Sequence, residues 1–177
     1  MTGWLSSLVL PLSLIVALPA QDAPPTVETL RARAQERMRQ DLTVYSRDEL
    51  RALEELYQSA NKNLRDPNAK DILMRVVKDY PKSNRAGSAI LYLAQLSSGA
   101  EREAFLKSAI ESHGDTWYGD GVQVGAFARA QLAAFYAAES TLTEARALAR
   151  EVIDRFPGAI DHNGRPLADA LRNLKLL

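Results

Sequence analysis

Apolar side chains recur every three or four positions along nearly the whole chain from residue 26 onward, the period of a helix with one buried face. Val27, Leu30, Ala34, Met38 and Leu42 share such a face and predict an N-terminal helix over 26–45. Ser46 followed by Glu49 is a capping box, in which a hydroxyl and a carboxylate satisfy free backbone N–H groups at a helix start. The helix it opens carries Leu50, Leu53, Leu56, Tyr57, Ala60 and Leu64 inward. Asp66-Pro67 is a second start signal, a capping acid followed by a proline whose missing N–H costs nothing there. No stretch of five or more residues alternates cleanly between apolar and polar, so no strand is expected and the predicted fold class is all-α.

The pattern also repeats. Ala69, Ile72, Leu73, Val76, Val77, Tyr80, Pro81 superimpose on Arg102, Phe105, Leu106, Ala109, Ile110, His113, Gly114, and again on Ala145, Leu148, Ala149, Val152, Ile153, Phe156, Pro157. The offsets are 33 and 43 residues. Each segment is a helix that ends in a ring residue and then a helix-stopping Pro or Gly. A further helix precedes each one, at about 47–64, 84–98 and 122–138, so the unit is a helical hairpin of roughly 34 residues. One such hairpin cannot bury its apolar face alone, and three is the working minimum for a stack. Helix 122–138 is apolar nearly all round, as a helix enclosed by others or exposing a binding stripe would be. A last helix over 166–175, with Leu167, Ala170, Leu171 and Leu174, is expected to cap the end.

This unit resembles the tetratricopeptide repeat. In the third copy, Leu132-Ala133, Tyr136, Ala145 and Pro157 stand at that family's spacing of small, aromatic, alanine and proline positions. The first copy keeps Ala69 and Pro81 but has Leu56-Tyr57 where a small residue is usual, and the second has Arg102 and Gly114 at the alanine and proline positions. Asp-Tyr-Pro at 79–81 and Arg-Phe-Pro at 155–157 look like the divergent repeats of bacterial cell-envelope proteins. The resemblance covers residues 46–177 and implies an α-solenoid whose first helices line a groove for a protein or peptide. Arg51, Glu54, Gln58 and Asn61 would face that groove from one helix, and Phe127, Ala130, Ala134 and Ala137 from another. The longer second offset places an insertion at 115–121, where Trp117, Tyr118 and Asp120 would flank the groove. The two rings are natural partner anchors, or else they fold back and seal a gap in the core.

The N-terminus changes the expected location. Residues 1–20 carry no charged side chain, hold the apolar run from Leu8 to Val16, and end in Pro19-Ala20. This reads as a signal peptide cut after Ala20, followed by a linker over 21–25, and predicts an exported, periplasmic or cell-envelope protein. The alternative is a retained apolar anchor, the one route by which the chain would meet a membrane. The chain has no cysteine, which excludes a lipid anchor at the cut as well as disulfides and thiolate chemistry. Its 22 basic and 22 acidic residues cancel, leaving no electrostatic case for nucleic acid.

Catalytic patterns are weak. Gly119-x-Gly121-x-x-x-Gly125 opens a helix but lacks the preceding strand that a dinucleotide loop needs. Ser59-x-x-Lys62 has the spacing of penicillin-recognising serine enzymes without their companion motifs, and its pair faces outward. His113 and His162, beside Asp115 and Asp161, sit on one predicted edge and could ligate a metal; His113 also occupies the ring position of Tyr80 and Phe156, which argues for packing. The first helix, with Arg31, Arg33, Arg37 and Arg39, is too diluted by acids to read as a membrane-surface helix. The expectation is a binding protein, not an enzyme, with no cofactor and no metal. Self-association through helix 122–138, giving a homodimer, is the alternative, and a metal or ligand site at His113/His162 a distant third.

Overall fold

A computed structural model describes residues 24–177, which form eight helices and one short 3-10 turn. They are α1 (Val27–Gln40), α2 (Arg47–Asn61), α3 (Ala69–Asp79), α4 (Asn84–Gln95), α5 (Gly99–Ser112), α6 (Val124–Ala138), α7 (Leu142–Arg155) and α8 (Leu167–Asn173). No strand occurs among the described residues, so the chain is all-α there. The signal-peptide reading lies outside the described residues. Within them, no helix is long and apolar enough to cross a membrane.

The local start signals form as hydrogen bonds. Ser46 Oγ accepts from the Glu49 N–H at 3.3 Å while the Ser46 N–H donates to Glu49 Oε2 at 2.7 Å, completing the box that opens α2. Asp66 makes a turn just before α3, its carboxylate accepting the Asn68 N–H at 2.8 Å and its carbonyl the Ala69 N–H at 2.9 Å. The helix therefore begins at Ala69 and not at Pro67.

The first helix departs from its expected course at the end. α1 stops at Gln40 and a 3-10 turn over Asp41–Thr43 follows. Leu42, expected on the buried face, is 54% exposed, whereas Asp41 is 5% exposed. The cause is electrostatic. The Asp41 carboxylate accepts the Asn84 N–H at 2.8 Å and Arg37 Nη1 at 2.8 Å, which turns residue 41 inward and residue 42 out.

From α2 to α7 each helix packs on the next, and the alternate helices α2 with α4 and α4 with α6 also touch. α8 packs on α6 and α7. Three buried clusters follow this order. One joins α2, α3 and α4 around Leu53, Tyr57 and Leu73. The next joins α4, α5 and α6, with Leu30 and Ala34 of α1 entering it. The last joins α6, α7 and α8 around Ala133, Ala149 and Leu171. Tyr92 and Phe105 bridge the first two, and Phe127 and Tyr136 the second two, so the interior is continuous. Helix α6, apolar nearly all round, packs against α4, α5, α7 and α8, while Phe127 and residues 134–137 stay half-buried.

The connector before α6 is not unique. Trp117 bridges Gln123, and Ile160 bridges Pro166, in two small hairpin-like turns 43 residues apart. Each turns at a glycine in the left-handed region, Gly121 (φ +98°) and Gly164 (φ +75°), a conformation that glycine adopts freely. The insertion expected once, at 115–121, thus occurs before α6 and again before α8. The connector before α4, residues 80–83, is short.

Candidate functional site

On α2, Arg51 is exposed and pairs with Asp48 at 3.1 Å, and Asn61 is half-buried. Glu54 and Gln58 are half-buried and already paired within the chain. Arg85 of α4 grips the Glu54 carboxylate with two bonds of 2.7 and 2.8 Å, and Gln58 Nε2 donates to the same group at 2.7 Å. The Arg85 guanidinium lies 4.5 Å from the centre of the Tyr57 ring. Burial works against the charge on Glu54, but the hydrogen bonds from Arg85 and Gln58 outweigh it and hold the carboxyl below its ordinary value. These residues fasten α2 to α4.

On α6, Phe127, Ala134 and Ala137 are half-buried. Ala130, expected in the groove, is 9% exposed and belongs to the cluster with α7 and α8. The α2 and α6 groups do not adjoin, because α4 stands between those helices. Its contribution is the one that sequence reasoning left out: Arg85, and Tyr92, whose ring lies 6.2 Å from Tyr57 and 6.1 Å from Tyr118. The available signal was the position of both residues in the first helix of the second repeat.

Trp117 and Tyr118 are 8% and 7% exposed, so they seal the core and do not stand out as partner anchors. Long-range polar contacts pull them in. The Asn84 side chain, 1% exposed, donates to Trp117 O at 2.6 Å and accepts from Trp117 N at 2.8 Å. Tyr118 OH donates to Ser88 O at 3.2 Å. Thr116 fits beside α4 only because residue 87 is glycine; a Cβ there would lie 1.8 Å from Thr116 Oγ1. Asp120 is half-buried and accepts the Val122 N–H at 3.2 Å.

Helix α1 runs across all three connectors in reverse order. Pro25 abuts Gly158, Leu30 abuts Gly121, and Met38 lies next to Gly119. Arg37 then reaches Asp115 at 3.3 Å and Lys82 O at 3.2 Å, and Asp41 closes on Asn84. From the sequence this segment was expected as an N-terminal helix over 26–45, without these contacts. The alternation of Arg37 and Asp41 one turn apart was its one legible clue.

The two histidines serve different partners. His113 is 5% exposed and fills the ring position at the end of α5; burial pushes its pKa below the ordinary value, with Asp115 opposing and Arg37 reinforcing. His162 is exposed, its Nδ1 lies 2.8 Å from Asp120 Oδ2, and its ring meets Tyr118 and Phe127 edge-on at 4.6 and 5.1 Å. Among the described residues no group of three or more His, Asp or Glu side chains is arranged to hold a metal ion. Ser59 Oγ donates to Leu56 O at 2.7 Å, and Ser59 and Lys62 both lie on the exposed side of the α2 end. Gly119 and Gly121 belong to the turn of the first hairpin-like connector. No protein-family model, curated protein or solved structure matches this chain.

Proposed function

We propose that this chain is a non-catalytic, exported repeat protein of tetratricopeptide type, whose first-helix face binds a protein or peptide partner. The observation that carries the reading is the packing order: from α2 to α8 each helix lies against its successor, while α2, α4 and α6 touch in sequence. Hairpins stacked in this way would form an α-solenoid, in which each pair buries its apolar side on its neighbours and leaves a lengthwise face for docking. The equivalent hairpin-like connectors before α6 and α8 support the same reading, with α8 in the place of the first helix of a further pair. Arg51, Asn61, Tyr92, Phe127 and Ala134 would supply the face, since none of them is fully buried. Export rests on the apolar run at residues 8–16 and the Pro19-Ala20 boundary.

A photo-crosslinking amino acid at Asn61 or Ala134, in cells of the source organism, tests the face. A discrete adduct with another protein is expected from both positions and not from Arg150 on the outer side of α7. Equal adducts from all three positions, or none from the first two, would overturn the reading. An adduct with a second copy of the chain would favour the self-associating alternative, for which the enclosure of α6 leaves less exposed surface.

A further inference from the structure

On the connector edge a cleft of about 710 Å³ opens beneath the first turns of α1. That volume is within the range of roughly 300–1,000 Å³ typical of small-molecule sites. Thr29, Leu30 and Arg33 line it from α1, Trp117 from the first hairpin-like connector, and Arg155 and Phe156 from the end of α7. Its described lining has two guanidinium groups and no carboxylate.

Both arginines are available. Arg155 has only a 3.6 Å contact with Glu151, and that carboxylate is already held by the buried Arg129 at 2.8 Å. Arg33 is exposed, and no carboxylate among the lining residues competes for it. Both aromatic side chains of the lining have fixed neighbours. Asn84 fixes the backbone of Trp117, and the Phe156 ring lies 5.1 Å from the Arg129 guanidinium and 5.7 Å from that of Arg155. A guanidinium fork matches a carboxylate with two parallel hydrogen bonds. The aromatic and aliphatic part of the wall suits an apolar ring body beside that acid group.

We propose that this cleft binds a planar aromatic carboxylate. The arginines take the acid group, and the apolar wall to which Leu30, Trp117 and Phe156 contribute receives the ring system. Isothermal titration of the protein with 2-naphthoate, and separately with the uncharged 2-naphthamide, tests the proposal. Saturable binding of naphthoate is expected, with naphthamide about tenfold weaker or more because it lacks the charge-assisted bonds. The double variant Arg33→Gln/Arg155→Gln, checked for unchanged helicity, should lose naphthoate binding by a similar factor, whereas Arg150→Gln should keep it. Equal binding of acid and amide, or unweakened binding by the double variant, would remove the arginines from the account. Absence of naphthoate binding would end the proposal. Displacement of naphthoate by hexaglutamate at equal concentration would also overturn it, by identifying the occupant as an acidic peptide.

Discussion

Asn84 holds Trp117 as a paired strand would hold it: the side-chain amide donates to the Trp117 carbonyl at 2.6 Å and accepts from the Trp117 N–H at 2.8 Å. The residue that does this is the first of α4, and its own N–H is taken by the Asp41 carboxylate. The end of α1, the start of α4 and the connector before α6 therefore meet at one buried polar point. Such a network rigidifies a fold only when each member is satisfied.

Replacing Asn84 with Ala leaves two backbone groups of Trp117 without partners where water cannot reach them. Each orphaned group costs about 1–3 kcal/mol, so the variant should lose about 3 kcal/mol in urea unfolding. Hydrogen exchange at the Trp117 amide should accelerate with it. A loss under about 1 kcal/mol would show that the pairing is not what holds the connector.

His113 gives stability a pH dependence with a definite sign. Its folded pKa lies below the ordinary 6.5 because burial disfavours the imidazolium. Below pH 6.5 the unfolded chain therefore binds the proton first, and stability falls as pH drops from there through the lower folded value. His113→Phe, which puts the ring of Phe156 at the equivalent position, should flatten that part of the stability profile between pH 7.5 and 5. Urea midpoints measured across that window for both proteins decide it; parallel slopes would exclude His113 as the source.

Gly125 marks the closest approach of α6 to its own connector. A Cβ there would sit 2.6 Å from Gly114 O and 2.8 Å from Gly114 Cα, both backbone atoms that cannot turn aside. Gly125→Ala should therefore cost about 1–3 kcal/mol, as overpacking does. Gly119→Ala is the control, since its nearest neighbour would be the flexible end of Met38 at 3.5 Å; its effect should stay within about 0.5 kcal/mol. Thermal melts of the two variants side by side measure the difference.

The helices were legible because their signals are local. The capping box at Ser46 and Glu49 and the threefold-to-fourfold apolar spacing act within one or two turns, and they formed largely as read. The repeat of 33 and 43 residues was legible for the same reason, since each copy carries its own apolar face. Harder to see was the second hairpin-like connector. Asp120-Gly121 and Asn163-Gly164 share the turn chemistry, but the flanking residues, Trp-Tyr in one and Ile-Asp in the other, hide the likeness.

The sequence by itself determined the all-helical character of the described residues and the approximate extent of their helices, because short-range sterics and capping set these. Only the tertiary structure decided which side chains at a turn go in or out. Trp117 and Tyr118 are buried because Asn84 and Ser88, some thirty residues away, satisfy polar groups that would otherwise have to face water. Asp41 displaces Leu42 from the interior because a helix start 43 residues on offers it an N–H. A lone apolar period cannot foresee such choices, since the partner that satisfies a buried polar group comes from another part of the chain.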